Sequence, residues 1–284
     1  MKVMASFYPL QYLTEKIGGD LVSVESLTPP GAEPHDLELS NQKVQQLSQA
    51  GAVVYLKGFQ SAVDKAIELN APKTVIDVST SVDLVDAEKH ESELDVADDG
   101  EKTEEAHEHE HEHGSTDPHF WLDPTRMADA AKQVHAALVK ADPSHKADYD
   151  ANLKTTLAKL TKLDTSYKQG LSQCTRKTFV TSHAAFGYLA ERYGLTQVSV
   201  SGIDPDSEPS PADIAKVKQV VKQTGTTTIF TEELVSPKTA QAVAKETGAK
   251  TSVLSPIESA PEKGDYEGAM TTNLTNLREA LNCK

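Results

Sequence analysis

The stretch Pro143–Gly170, PSHKADYDANLKTTLAKLTKLDTSYKQG, decides how the chain is organised. Its apolar residues Tyr149, Leu153, Leu157, Leu160, Leu163 and Tyr167, continued by Leu171, recur three or four positions apart. That spacing lines one face of an α-helix. Asp142 and Pro143 supply a cap and a first turn. At ~1.5 Å of rise per residue such a helix is roughly 40 Å long, enough to act as a spine between two lobes.

On either side of this spine, strand and helix patterns alternate. Before it, Val3–Phe7, Leu21–Leu27, Ala52–Lys57 and Thr74–Val78 read as strands. Between them lie helices opened by Pro9, by Ser40 as N-cap, and by Gln60, and Arg126–Lys140 forms another helix before the spine. After it, Thr178–Ser182, Gln197–Ser201, Thr227–Thr231 and Thr251–Leu254 are strands. Helices over Ala184–Tyr193, from Ser210-Pro211, from Ser236-Pro237 to Gly248, and over Asp265–Leu281 separate and follow them. The expected fold is therefore α/β, with two lobes that each carry a mainly parallel sheet flanked by helices. The divisions are an N-terminal lobe over 1–142, the spine over 143–171 and a C-terminal lobe over 172–284.

The formal charge of −15 is concentrated. Residues 86–113 hold thirteen Asp/Glu against Lys89 and Lys102, a net of −11, so the remainder carries only about −4. No basic patch is available to neutralise phosphates, which argues against a nucleic-acid partner. No run of eighteen apolar residues exists to span a membrane. The opening MKVMASFYPLQYL lacks the pattern of a signal peptide. Cys174 and Cys283 form no CxxC arrangement, which leaves a pair or two buried thiols.

Residues from Asp86 to Gly114 show no periodicity and little that fills a core, and read as a disordered loop. Within it, His107, His109, His111 and His113 alternate with Glu, and His90 lies upstream. The loop leads directly into DPHFWLDP, residues 117–124, a compact segment that holds His119. Neutral imidazole is the commonest zinc ligand, so a reservoir of weak ligands beside one fixed ligand suggests metal traffic.

In open α/β sheets ligands bind outside the carboxyl ends of the strands. That rule selects His35 after the second strand, His119 in the loop before the spine, His183 directly after TFVTS, and Glu258 in the turn LSPIES after TSVL. Phe120 and Trp121 are expected to pack the loop against the core. Glu232 and Glu233, after the strand ending at Thr231, stand where either could support a ligand.

Five segments then carry a family resemblance: ASFYPLQYLTEKIGGD, PPGAEPHDLELS, DPHFWLDP, TSHAAFGYLAERYGL and FTEELVSPKTAQAVAKETG. In this order the chain resembles the cluster A-I solute-binding proteins of metal-importing ABC transporters, and its His-rich acidic insertion resembles their zinc-specific, ZnuA-like branch. The resemblance implies a receptor rather than an enzyme, a monomer without a transmembrane segment. It would be exported to the periplasm or the outer face of the cytoplasmic membrane, bind one Zn(II) between its lobes and pass it to a membrane permease. The family's ligands match His35, His119 and His183, with Glu258 as fourth and Asp265, Glu33 or water as rivals. His107, His109, His111 and His113 are auxiliary metal candidates. The resemblance also favours a Cys174–Cys283 disulfide.

Three imidazoles and one carboxylate favour zinc over a manganese or iron receptor of the same family. A metal-dependent adhesin and a zinc hydrolase with Glu258 as base stand as alternatives. Acid is expected to release the ion, with binding weakening below about pH 6, because protonated imidazole cannot ligate.

Overall fold

Strands buried on both faces and joined by helical crossovers build parallel sheets, and the chain does this twice. The computed structural model describes residues 1–70, 72–91 and 116–284. Its first half runs β1 (Lys2–Ala5), α1 (Tyr8–Gly18), β2 (Ser23–Ser26), α2 (Asn41–Ser48), β3 (Ala52–Tyr55), α3 (Ser61–Asn70), β4 (Thr74–Asp77) and α4 (Ala87–Glu91). Then come α5 (Pro124–Ala141) and α6 (Lys146–Leu171). The second half is β5 (Thr178–Thr181), α7 (Gly187–Tyr193), β6 (Thr196–Ser199), α8 (Pro211–Thr224), β7 (Thr228–Thr231), α9 (Lys238–Thr247), β8 (Lys250–Val253) and α10 (Tyr266–Leu281).

The two sheets have the same topology. Their strand orders are β2-β1-β3-β4 and β6-β5-β7-β8, with every pair parallel. The central strands β3 and β7 are buried at all four positions. In each sheet the chain reverses its direction of growth beside the first strand, which puts the switch points between β1 and β3 and between β5 and β7, at the carboxyl edge where ligands bind in such sheets.

Local chemistry fixes the helix starts. The Ser40 hydroxyl accepts from Lys43 N at α2, and Ser210 and Asp213 form a reciprocal capping box at α8. Asp123 caps α5 through Thr125 N, and Asp265 caps α10 through Gly268 N.

The spine differs from the sequence reading at its start. Pro143–His145 is a 3-10 turn and the α-helix begins at Lys146. Asp142 accepts from Ser144 Oγ and His145 Nδ1 instead of capping a continuous helix. The remaining 26 residues span about 39 Å. α7 also starts later than expected, at Gly187, because Ala184 N donates to Gly202 O and the preceding residues are used to wrap the loop after β5.

A single apolar cluster includes Val3, Leu10 and Trp121 from the first half, Leu160 and Tyr167 from α6, and Phe179, Phe230 and Tyr266 from the second. Two smaller clusters lie outside it, one on the far face of each sheet. The lobes are thus joined by a continuous core, with α6 packed on α1, α5 and α10.

The loop read as structureless from Asp86 begins too early. Asp86 bridges to Thr116, and Ala87–Glu91 form α4, which packs on α7 and β6. Sequence periodicity cannot detect a helix of five residues. His107, His109, His111 and His113 lie outside the described residues. No helix among the described residues is long and apolar enough to cross a membrane.

Cys174 and Cys283 are bonded, joining the end of α10 to the segment before β5 across 109 residues of sequence. Replacing both with Ala should lower the free energy of unfolding by about 2–5 kcal/mol, the range for a long closed loop. The metal stoichiometry should be unchanged. Denaturant melts of the oxidised protein and the double variant measure the difference.

Candidate metal centre

Each of the four side chains selected from sequence is delivered by a loop at a strand's carboxyl end or by the loop before α5. His35 lies in the loop after β2. Buried Gln60 pins that loop by donating to Thr28 Oγ1 at 3.0 Å and Pro34 O at 3.2 Å. Phe59 meets the His35 ring edge-on at 4.8 Å. His183 follows β5, where its carbonyl accepts from Thr181 Oγ1 at 2.7 Å.

His119 precedes the 3-10 turn Phe120–Leu122. Glu258 lies beyond β8 in a turn held by three hydrogen bonds from two residues. Trp121 Nε1 donates to Pro256 O at 2.7 Å, Asn273 Nδ2 to Ser255 O at 2.6 Å, and Ser255 N to Asn273 Oδ1 at 3.0 Å. Ile257, beside the carboxylate, is held at φ +59°. A β-branched residue is rarely found in that region.

The four ligand atoms converge. His119 Nε2 is 3.3 Å from His35 Nε2 and 3.3 Å from His183 Nε2. Glu258 Oε1 is 3.1 Å from His119 Nε2, 3.4 Å from His35 Nε2 and 3.6 Å from His183 Nε2. The side chains of His119, His183 and Glu258 are essentially without solvent contact, whereas that of His35 is 10% exposed. The crevice therefore opens on the His35 side. Glu258 Oε2 is buried without a hydrogen-bond partner.

Carboxylates stand behind two of the imidazoles. Asp117 Oδ1 accepts from His119 N at 2.9 Å and lies 2.8 Å from His119 Nδ1. This leaves Nε2 as the outward-facing ligand atom. Glu232 Oε2 lies 2.7 Å from His183 Nδ1, close but out of line for a hydrogen bond, and Glu232 Oε1 accepts from His183 N at 3.2 Å.

These contacts set the charge states. Burial disfavours the ionised form of Glu258, but hydrogen bonds with His119, His183 and His35 outweigh it and hold the carboxyl well below its usual range. Burial lowers His183, yet the Glu232 and Glu258 carboxylates push it up to about 10. His119 is likewise raised, with burial overcome by Asp117 and Glu258. His35, nearer solvent but still desolvated, is lowered.

Neither carboxylate rival for the fourth position is in the four-residue cluster. Asp265 caps α10 and pairs with Lys16 at 3.4 Å. Glu33 accepts from His35 N at 3.1 Å, and burial together with the charge of Glu258 pushes its carboxyl up to about 8. Sequence reading passed over Asp117, although its place two residues before His119 is the signal. At that spacing a carboxylate folds back onto both the backbone N–H and the ring. His90, grouped with the loop histidines, is instead buried beside Asp117.

Two parallel-sheet lobes joined by a long helix, with a dry ligand cluster in the crevice between them, define a solute-binding protein of the rigid-spine class. Residues 3–280 match the family described as ZnuA, zinc-uptake complex component A, periplasmic, and the chain belongs to that family. The zinc-binding protein AdcA of Streptococcus pyogenes serotype M3 is 38% identical over 292 residues, covering 98% of this chain and 55% of its own length. The chain thus spans about half the length of that relative.

The high-affinity zinc uptake system protein ZnuA of Bacillus subtilis is 34% identical over 289 residues, covering 99% of this chain and 88% of its own length. The Zn(II)-bound ZnuA-like domain of Streptococcus pneumoniae AdcA superposes with a TM-score of 0.79 at 32% identity over 99% of both chains.

A raised imidazole pKa moves proton competition upward. With His183 near 10, the metal-free ring carries its proton at neutral pH, and a cation bound there must displace it. Cation affinity should therefore rise by about tenfold per pH unit for each displaced proton between pH 7 and 9, instead of levelling off above pH 6. Calorimetry in buffers of different ionisation enthalpy should report release of at least one proton per ion at pH 7.5; pH-independent affinity over this range would contradict the assignment.

Proposed function

We propose that the chain is an extracytoplasmic receptor that captures one Zn(II) between its lobes and delivers it to the permease of an ABC importer. His35, His119, His183 and Glu258 are the ligands. The observation that carries this reading is the spacing of the ligand atoms, 3.1–3.6 Å across the five measured pairs. A regular tetrahedron with zinc–ligand bonds of about 2.05 Å has edges of about 3.3 Å. The side chains already stand at zinc-binding separations, and the unpartnered Glu258 Oε2 gains a cation nearby.

The ligand set also favours zinc over manganese. Manganese suits oxygen-rich octahedral sites, whereas three imidazoles and one carboxylate suit zinc. Four protein ligands complete a tetrahedron and leave no position for an activated water, which separates a receptor from a hydrolase. The family's periplasmic description and the disulfide both accord with an oxidising, extracytoplasmic setting. A single chain supplies all four ligands, so a monomer suffices for binding.

Chelator-stripped protein should bind one tight zinc equivalent that excess manganese does not displace. If four ligands share a binding energy of about 10–16 kcal/mol, removing one costs about 2.5–4 kcal/mol, or roughly 10²–10³-fold in affinity. Zinc titration of His119→Ala and Glu258→Gln against a chromophoric chelator checks this loss. Parental affinity in both variants would place the site elsewhere, and effective manganese competition would assign the receptor a different cargo.

A further inference from the structure

Asp117 has two carboxylate oxygens, and the metal centre uses only one. Oδ1 faces His119, while Oδ2 is bonded by Nδ1 of His90. His90 lies on α4, with its side chain 5% exposed. Its ring meets Tyr188 edge-on at 4.7 Å. On the adjoining turn of α7, a Cβ at Gly187 would overlap that ring, so glycine is what lets His90 reach Asp117.

The backbone is held from the same side. Tyr188 Oη donates to Asp117 O at 2.7 Å and accepts from Val85 N at 3.0 Å. Asp117 is thereby gripped through one carboxylate oxygen and through its carbonyl by groups that belong to α4 and α7. A buried carboxylate left with one oxygen unsatisfied is no longer held in place and can turn. Such a turn weakens its hold on His119 Nδ1, and with it the tautomer and aim of Nε2.

We propose that His90 is a positioning residue of the metal centre, fixing His119 through Asp117, with Gly187 as the notch that admits it. This rests on the reading of His119 as a zinc ligand. The competing account is that His90 only packs α4 against α7. The accounts separate because ring and donor can be removed independently.

His90→Phe keeps an aromatic ring against Tyr188 and removes the donor; His90→Asn keeps a donor near the Nδ1 position and removes most of the ring. The positioning role predicts that His90→Phe weakens zinc binding about 10–100-fold, the range for losing a partner of a ligating histidine, while His90→Asn stays within about threefold of the parent. The metal-free melting temperature of His90→Phe should remain within about 5 °C of the parent, so that the loss is not one of folding.

Parental affinity in His90→Phe, or His90→Asn no better than His90→Phe, would overturn the proposal. Gly187→Ala provides a second route if His90→Phe does not fold. Its added Cβ displaces the ring and should also weaken zinc binding; parental affinity there would count against the proposal. Parent protein and His119→Ala are titrated alongside. If the parent holds no tight zinc, or His119→Ala binds like the parent, the ligand assignment fails, and the positioning role fails with it.

Discussion

The structure turns on the cost of burying Glu258 among three imidazoles. A carboxylate in a nearly dry crevice is stable only beside positive charge, and the crevice supplies it in exchangeable form. In the metal-free state a proton on His183 serves, since the Glu232 and Glu258 carboxylates push that ring up to about 10. A divalent ion takes the place of that proton beside the carboxylate, and acid reverses the exchange by mass action.

The same constraint explains why the two lobes are not free bodies. Their cores merge through α6, and the metal centre is clasped by contacts that cross the crevice. Trp121 donates to Pro256 O, Tyr266 Oη to Trp121 O at 2.5 Å, Tyr12 Oη to Glu267 Oε1 at 2.6 Å, and Gly31 N to Ser259 Oγ at 2.9 Å. A wide hinge opening would expose Tyr12, Trp121 and Tyr266, all buried. Wetting several such side chains would cost on the order of 1.5–3 kcal/mol each. Exchange of the ion is therefore better served by movement of the loop that carries His35, whose side chain is 10% exposed, than by rotation of whole lobes.

Much of this organisation was legible in the sequence because it rests on local signals. The periodicity of α6, the helix starts at Ser40 and Ser210, and the placement of His35, His183 and Glu258 after strands all depend on neighbours within a few residues. What escaped depends on partners far away. His90 looked like one more loop histidine because α4 is too short for a periodic pattern, and its meaning comes from Tyr188 and Gly187 about a hundred residues later. Several expected strands run one to three residues longer than the observed ones, as at Phe7 and Val78, which are buried but lie beyond the paired residues. α7 starts late because its expected first turn is spent holding the loop of His183.

Selectivity follows from how firmly the ligands are held as much as from which atoms they are. Copper binds nitrogen and oxygen donors at least as tightly as zinc, so donor type alone cannot exclude it. Holding a geometry is the remaining lever. Ile257 in the left-handed region costs about 1–3 kcal/mol and persists only where surrounding bonds over-determine it. The Asn273 pair and Trp121 supply those bonds immediately before Glu258. The clamped turn holds the Glu258 carboxylate among the three imidazoles, while Asp117 holds His119. An ion that prefers six ligands or a square plane would have to move a clamped turn or a clamped ring; a tetrahedral ion meets the positions already built.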